Sequence, residues 1–279
     1  MTSATQVPVL TLHDGVEMPQ LGFGVFQIPA EDTQEKVEEA LGVGYRHVDT
    51  AAVYRNEAGV GAAIAATGVR REDVFLTTKL WNSQQGYDST LRAFEKSIER
   101  LGTGYVDLYL IHWPLPSRDL YLETWRAFER IREEGGTRSI GVSNFRVEDL
   151  ERLEREAERL PTVNQIELHP RLQQPELRAW HAGRGIVTEA WSPLAQGNLL
   201  EDGTIETIAA HHGRTPAQAI LRWHLQVGNV AIPKSSNPER IRQNFELFDF
   251  ELSEDDMAAI ERLDAGRRIG EDPSTFDLD

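Results

Sequence analysis

Eight short runs rich in β-branched and aromatic residues recur along the chain. A longer segment of helical period follows each one, and this alternation restricts the fold more than any other feature. The runs cover residues 20–26, 45–50, 74–80, 106–113, 138–145, 162–169, 185–192 and 229–235. The helical segments cover 31–44, 57–67, 88–101, 119–134, 147–158, 174–183, 216–227 and 238–246. In the first of these, Val37, Ala40 and Leu41 fall at helical spacing and a glycine closes the segment. Strands alternating with helices build βαβ units on a parallel sheet. Strands that are apolar almost throughout suit a sheet covered on both faces. A count of eight favours a closed (β/α)8 TIM barrel over an open doubly wound sheet. The glycine fingerprint of the open dinucleotide-binding sheet is missing: Gly59-Val60-Gly61-Ala62-Ala63-Ile64 lacks the third glycine and follows no strand. Asp14-Gly15, between two alternating runs, predicts an N-terminal β-hairpin. No linker interrupts the 279 residues, so the chain is expected to form one barrel domain, 1–279, with an irregular tail from about 264 to 279.

A net charge of −16 argues against a nucleic-acid partner, because the phosphate backbone would be repelled. No apolar run approaches the roughly 20 residues a membrane helix needs. The absence of cysteine removes disulfides and thiolate metal sites and fits a cytoplasmic protein. The opening MTSATQVPVL has neither a basic n-region nor an apolar h-region, so no signal peptide is expected.

In a barrel of this kind the active site lies where the strands end. The second run ends at Asp49, with Tyr54 in the following loop; the third ends at Lys79, then Trp81; the fourth at His112-Trp113. Taken alone, each has a bland reading: a structural histidine, a solvated lysine, a packed tryptophan. Together, an Asp, a Tyr, a Lys and a His reach one rim from adjacent strands. A phenol titrates near 10 and donates protons poorly at neutral pH. An ammonium about 4 Å away, at an effective dielectric of about 20, contributes about 4 kcal/mol, enough to lower the phenol by about 3 units. Asp49 would keep Lys79 charged, and His112 would orient a substrate oxygen. Such a group suits the protonation of an oxyanion as it forms. It lacks a nucleophile and a metal cage, so the oxyanion is expected to arise from hydride delivered by a nicotinamide cofactor.

Ser143, Asn144 and Gln165 supply polar groups for a carboxamide, and Trp191 a flat face for the ring. In KSSNPERIRQN (234–244), Ser236 or Asn237 is placed to cap a helix that begins at Pro238. Lys234 and Arg240 flank that helix start, where free backbone N–H groups would also meet an anion. Two cations there, in so acidic a chain, point to the 2′-phosphate of NADPH, which an Arg fork matches well.

These residues carry a resemblance that runs nearly end to end. LGFGVF (21–26), GYRHVDTAAVYRNEAGVG (44–61), TTKLW (77–81), DLYLIHWP (107–114), RSIGVSNF (138–145), VNQIELHP (163–170), WSPLAQG (191–197), TPAQAILRW (215–223) and IPKSSNPERIRQN (232–244) resemble the aldo-keto reductases. Among these the chain looks most like bacterial 2,5-diketo-D-gluconic acid reductases. The resemblance implies an NADPH-dependent (β/α)8 barrel with a hairpin closing its bottom, no metal, and a monomeric state. It implies a catalytic set of Asp49, Tyr54, Lys79 and His112, with Tyr54 as the general acid. It further implies that Ser143, Asn144 and Gln165 hold the carboxamide and Trp191 stacks on the ring. Ser192, Leu194, Gln196 and Gly197 would line the pyrophosphate path. Lys234, Ser235, Ser236, Arg240, Gln243 and Asn244 would hold the adenosine end, while Phe23, Trp81 and Trp113 would wall the pocket.

The expected function is reduction of an aldehyde or ketone, such as a small dicarbonyl or 2,5-diketo-D-gluconate. Two other classes compete. One is an NADPH-binding regulatory barrel without turnover, against which the complete catalytic set argues. The other is a metal-dependent hydrolase built on His112, His169 and Glu167, which their spacing does not support.

Overall fold

The apolar runs become strands and the periodic segments become helices in the computed structural model, which describes residues 7–278. A hairpin of β1 (Val9–Thr11) and β2 (Glu17–Pro19) comes first. The sheet strands are β3 (Phe23–Gly24), β4 (His47–Asp49), β5 (Phe75–Leu80), β6 (Val106–Ile111), β7 (Thr137–Ser143), β8 (Val163–Glu167), β9 (Val187–Trp191) and β10 (Val230–Ala231). Each is parallel to its neighbours in chain order. The ring closes just before β3, where Leu21 bridges Ala231 in parallel. There the Gly22 N–H donates to Ala231 O at 2.9 Å and the Ala231 N–H to Gln20 O at 3.1 Å. The sheet is therefore a closed eight-stranded barrel, as expected.

The helices are α1 (Ala30–Val43), α2 (Glu57–Ala66), α3 (Tyr87–Leu101), α4 (Tyr121–Glu133), α5 (Val147–Glu156), α6 (Pro175–Ala182), α7 (Gly203–His211), α8 (Pro216–Gln226), α9 (Pro238–Gln243) and α10 (Glu254–Glu261). α3 turns Thr90, Phe94, Ser97 and Leu101 inward at helical spacing and ends at Gly102 in the left-handed region. α8 begins with Pro216 behind a reciprocal Thr215/Gln218 cap. The glycines of α2, read above as a failed fingerprint, serve packing: a Cβ on Gly61 would lie 1.9 Å from Leu101 O at the end of α3.

Two helices were not anticipated. α10 starts from a Ser253/Asp256 capping box, a local signal that could have been read. α7 starts from Asp202, whose side chain accepts from the Thr204 N–H. The first and last barrel strands are shorter than their apolar runs. Near the end of the last run Pro233 lacks a donor and cannot extend the ladder.

Alternation along the strands sorts the core. On β5, Leu76 and Leu80 pack outward under the helices, and Thr78 donates to Glu57 of α2 at 2.6 Å. Phe75, Thr77 and Lys79 point inward. Leu12 and Met18 of the hairpin region pack on Phe75, Leu108, Leu110, Val163 and Val230, three of which begin their strands. The hairpin thus seals the N-terminal end of the barrel and leaves the other end open. Among the described residues no helix is long and apolar enough to cross a membrane. Most of the segment in which a leader was sought lies outside the described residues.

Candidate active site

Asp49 ends β4 and Lys79 lies near the end of β5, on the same inward face. Lys79 Nζ donates to Asp49 Oδ1 at 2.6 Å and to Thr50 O at 3.0 Å, with both side chains buried. Tyr54 sits on a single 3-10 turn, Ala52–Tyr54, that ends with Arg55 at φ 57. That turn brings the phenol ring over Lys79, whose Nζ is 5.2 Å from the ring centroid. His112 follows β6, its ring 5.8 Å from that of Tyr54 and 5.2 Å from that of Trp81. The four residues expected to act together do meet, from three adjacent strands.

Their electrostatics depart from expectation in one respect. Burial works to discharge Lys79, but Asp49, by its charge and its hydrogen bond, leads the contributions that hold the ammonium above its usual value. Burial, reinforced by the Lys79 charge, pushes His112 well below its usual value, so the imidazole is neutral. For Tyr54 the reading above had Lys79 lowering the phenol. Here burial dominates and holds it above its usual value, with Lys79 pulling the other way and Asp49 opposing that pull. The phenol is a fully protonated donor, and Lys79 acts on the phenolate that forms once the proton has left.

Beside this group lies a hydrogen-bonded floor. Ser143 Oγ donates to Gln165 O at 2.8 Å. Asn144, at φ 63, donates from Nδ2 to His112 O at 3.0 Å and to Ser143 Oγ at 3.1 Å. Its Oδ1 accepts from Trp191 Nε1 at 2.8 Å. Asparagine tolerates the left-handed region that this position requires. Gln165 Nε2 donates to Asp49 Oδ2 and Glu189 Oε2, both at 2.8 Å. Ser143, Asn144, Gln165 and Trp191 are therefore contiguous, and the Asn144 amide already has partners at both ends.

Beyond Trp191 the chain lines one side of a groove of about 660 Å³ with Ser192, Leu194, Gln196 and Gly197. Ser192 and Gln196 hold positive φ, 48 and 53, in the tight turns after β9. The opposite side carries Lys234, Ser235, Arg240, Gln243 and Asn244. Ser236 lies just outside, in a shallower recess with Lys234 and Arg240. Lys234 and Arg240 are exposed, and neither pairs with a carboxylate among the described residues. One expectation is corrected here. Asn237 is the cap of α9, and its Oδ1 accepts from the Glu239 and Arg240 N–H groups at 2.9 and 3.1 Å. Those backbone donors are already engaged, so any anion at this end is left to the side chains.

Trp81 and Trp113 reach the open end, but Phe23 does not. It lies opposite Val48 in the register, on the outward face, buried against Tyr45 at 5.7 Å. Phe26 takes its place, half-exposed, with its ring 5.1 Å from that of Tyr54. Period-two alternation would have found it: Gly24 opposes the inward Asp49, and Phe26 lies two residues on.

Among the described residues the segment after Asp264 forms no helix or strand, and it crosses the mouth. Phe276 packs on Trp113 at 4.2 Å, and Asn82 Nδ2 donates to Leu278 O at 2.7 Å. Glu167, fully buried, anchors this crossing by accepting from the Ile269 and Gly270 N–H groups at 2.6 and 3.0 Å. His169 Nε2 is 3.1 Å from the same carboxylate, and Arg268 of the tail forms a looser ion pair with it at 3.6 Å. Glu167 and His169 thus form a latch for the tail, separate from His112. Among the described residues no three His, Cys, Asp or Glu side chains are grouped so as to hold a metal.

Residues 20–265 match the aldo/keto reductase family. The chain is 50% identical over 277 residues to methylglyoxal reductase DkgA of Yersinia pestis, covering 99% of both chains. It is 53% identical over 263 residues to glyoxal reductase of Bacillus subtilis (strain 168), covering 94% of this chain and 95% of that one. It is also similar to a crystal structure of a Gox0644 mutant in complex with NADPH, with a TM-score of 0.93 and 50% identity over 97% of this chain and 99% of the other. The chain belongs to the aldo/keto reductase family and is an oxidoreductase.

Proposed function

We propose that the protein reduces small carbonyl compounds to alcohols with NADPH, on a single barrel domain spanning 1–279 that acts as a monomer. Short dicarbonyls such as methylglyoxal and glyoxal are the favoured substrates, and 2,5-diketo-D-gluconate is the larger alternative. The observation that carries this reading is the half-buried Tyr54 phenol above the buried Lys79–Asp49 pair, at the mouth that opens onto the groove of Lys234 and Arg240.

The residues present fit the cofactor. Arg240 and Lys234 line the groove, pair with no carboxylate among the described residues, and are suited to a 2′-phosphate. Ser192, Leu194, Gln196 and Gly197 follow the path expected of a pyrophosphate. Gln165 and Trp191 lie where the groove meets the catalytic group. When bound, the cofactor supplies a hydride to the carbonyl carbon. Tyr54 donates its proton to the carbonyl oxygen, and Lys79, held charged by Asp49, stabilises the phenolate left behind. His112, neutral, donates a hydrogen bond that orients the same oxygen. Phe26, Trp81, Trp113 and Phe276 give the carbonyl compound an apolar wall.

The test follows NADPH absorbance with methylglyoxal, glyoxal and 2,5-diketo-D-gluconate, using wild type and Tyr54→Phe side by side. Wild type is expected to turn over, and the mutant to lose about 10²–10⁴-fold in kcat while still binding NADPH. Equal turnover by both would remove Tyr54 from the proton-donating role. Binding without turnover of any carbonyl would favour a regulatory barrel.

A further inference from the structure

Gln165 is buried on the inward face of β8, and its amide is held from within the barrel. Its nitrogen carries two hydrogens, and both are engaged: one by Asp49 Oδ2, the other by Glu189 Oε2, each at 2.8 Å. Asp49 is paired with the Lys79 ammonium and so is an acceptor only. The amide therefore cannot turn its oxygen inward without setting it against a carboxylate. Gln165 Oε1 has no partner among the described residues and, not being sealed off, reaches the open mouth.

Glu189 itself is wholly buried on β9, and nothing in the proposed reaction uses it. Its Oε1 faces His47 Nε2 at 3.5 Å, at the end of a line of inward residues that includes Thr77. Burial, and then Asp49, push the Glu189 carboxyl up to about 8, and burial pushes His47 down to about 3. Glu189 Oε2 accepts from Gln165, while its Oε1, 3.5 Å from His47 Nε2, makes no hydrogen bond among the described residues.

We propose that Glu189 is a positioning residue for the nicotinamide carboxamide: with Asp49 it holds both hydrogens of the Gln165 amide, so that Gln165 offers the barrel mouth an acceptor and no donor. The proposal rests on the NADPH reading above. Its consequence is selectivity. A ring substituent that carries an N–H donor is accepted, and one that presents only acceptors is refused. Without Glu189, one buried amide hydrogen loses its partner, and the amide gains a reason to rotate away from the mouth.

The experiment compares dissociation constants, by fluorescence titration, for NADPH and for its reduced 3-acetylpyridine analogue. The two probes share every phosphate and sugar, but the analogue has a methyl ketone where NADPH has the carboxamide. Wild type, Glu189→Met and Glu189→Gln are titrated. Wild type is expected to prefer NADPH by roughly tenfold, Glu189→Gln to stay within about twofold of that preference, and Glu189→Met to fall to about threefold or less. Retention of the wild-type preference in Glu189→Met would reduce Glu189 to a plug and overturn the proposal. Loss of the preference in folded Glu189→Gln would do the same, because glutamine still offers an accepting oxygen; this arm stands even where the methionine variant does not fold. Wild type binding both probes equally would overturn the acceptor role of Gln165 while leaving the NADPH reading intact. Wild type binding neither would refute that reading, and this one with it.

Discussion

Lys79 and Asp49 form a buried ion pair of 2.6 Å. A buried pair of this kind is costly to assemble and costlier to halve, because one partner alone is an uncompensated charge. Lys79→Met and Asp49→Leu are each expected to lose about 3–5 kcal/mol of stability, measured by urea unfolding. The double mutant is expected to recover most of that loss, since neither charge remains. All three are expected to be inactive with methylglyoxal, because Tyr54 loses the cation that stabilises its phenolate. Additive losses in the double mutant would show that the two residues do not act as a pair.

Arg240 has no acidic partner among the described residues and lines the groove. The engaged cap of α9 leaves the 2′-phosphate to side chains, which concentrates the discrimination there. Arg240→Ala is expected to weaken NADPH by about 10–100-fold, the range of a hydrogen bond to a charged group. NADH, which lacks the phosphate, is expected to change by less than about threefold on the same scale. Isothermal titration of both nucleotides decides the matter, and equal losses would place the phosphate elsewhere.

The barrel was legible because strand and helix periods differ and repeat eight times, so errors at single boundaries do not change the count. Asp49, Lys79 and His112 were legible because each stands at or just beyond the end of a strand, where polar residues are exceptions, and Tyr54 because it lies in the loop that follows Asp49. What stayed hidden depends on facing and on distance. Phe23 and Phe26 lie on the same run, and only the register against Asp49 tells which one turns inward. Glu189 sits within GIVTEAWS, where one carboxyl in an apolar strand gives no sign of its neighbours, His47 of β4 and Gln165 of β8. The tail contacts join residues far apart in the chain, 102 positions for Glu167 and Ile269 and 196 for Asn82 and Leu278, and no local pattern announces them.

Glu167 gives that tail its hold on the barrel. Burial works against its charge, but His169 and the two tail N–H groups outweigh it and keep the carboxyl below its usual value. The contribution is thus fully present above the ordinary glutamate range and is lost as pH falls through the lowered value. Next to it, a Cβ on Gly270 would lie 2.4 Å from the Trp191 ring. Glu167→Ala is expected to free the segment, speeding tryptic cleavage at Arg267 and Arg268 by about 10–100-fold through loss of charge-assisted bonds. KM for methylglyoxal is expected to rise with it, because Phe276 no longer stays against Trp113. Unchanged proteolysis would mean that the tail is held by its other contacts.

The carboxyl of Glu189 makes stability itself depend on pH. Its folded value is raised to about 8 from an ordinary 4.5, chiefly by burial and then by Asp49, while Lys79 and the Gln165 bond pull the other way. The imidazole of His47, which also faces it, is neutral throughout this range. Between these two values the unfolded chain has released the proton and the folded chain still holds it. The folded state therefore binds more protons, and stability falls as pH rises across the window. Above about 8 both states are ionised and the effect levels off. Glutamine at this position has no proton to lose. The stability difference between Glu189→Gln and wild type is therefore expected to grow in favour of the mutant at up to about 1.4 kcal/mol per pH unit. Urea unfolding at a series of pH values from 5 to 9 measures it. A difference that stays flat with pH would mean that Glu189 is ionised in the folded barrel, with Lys79 as the cation that keeps it so.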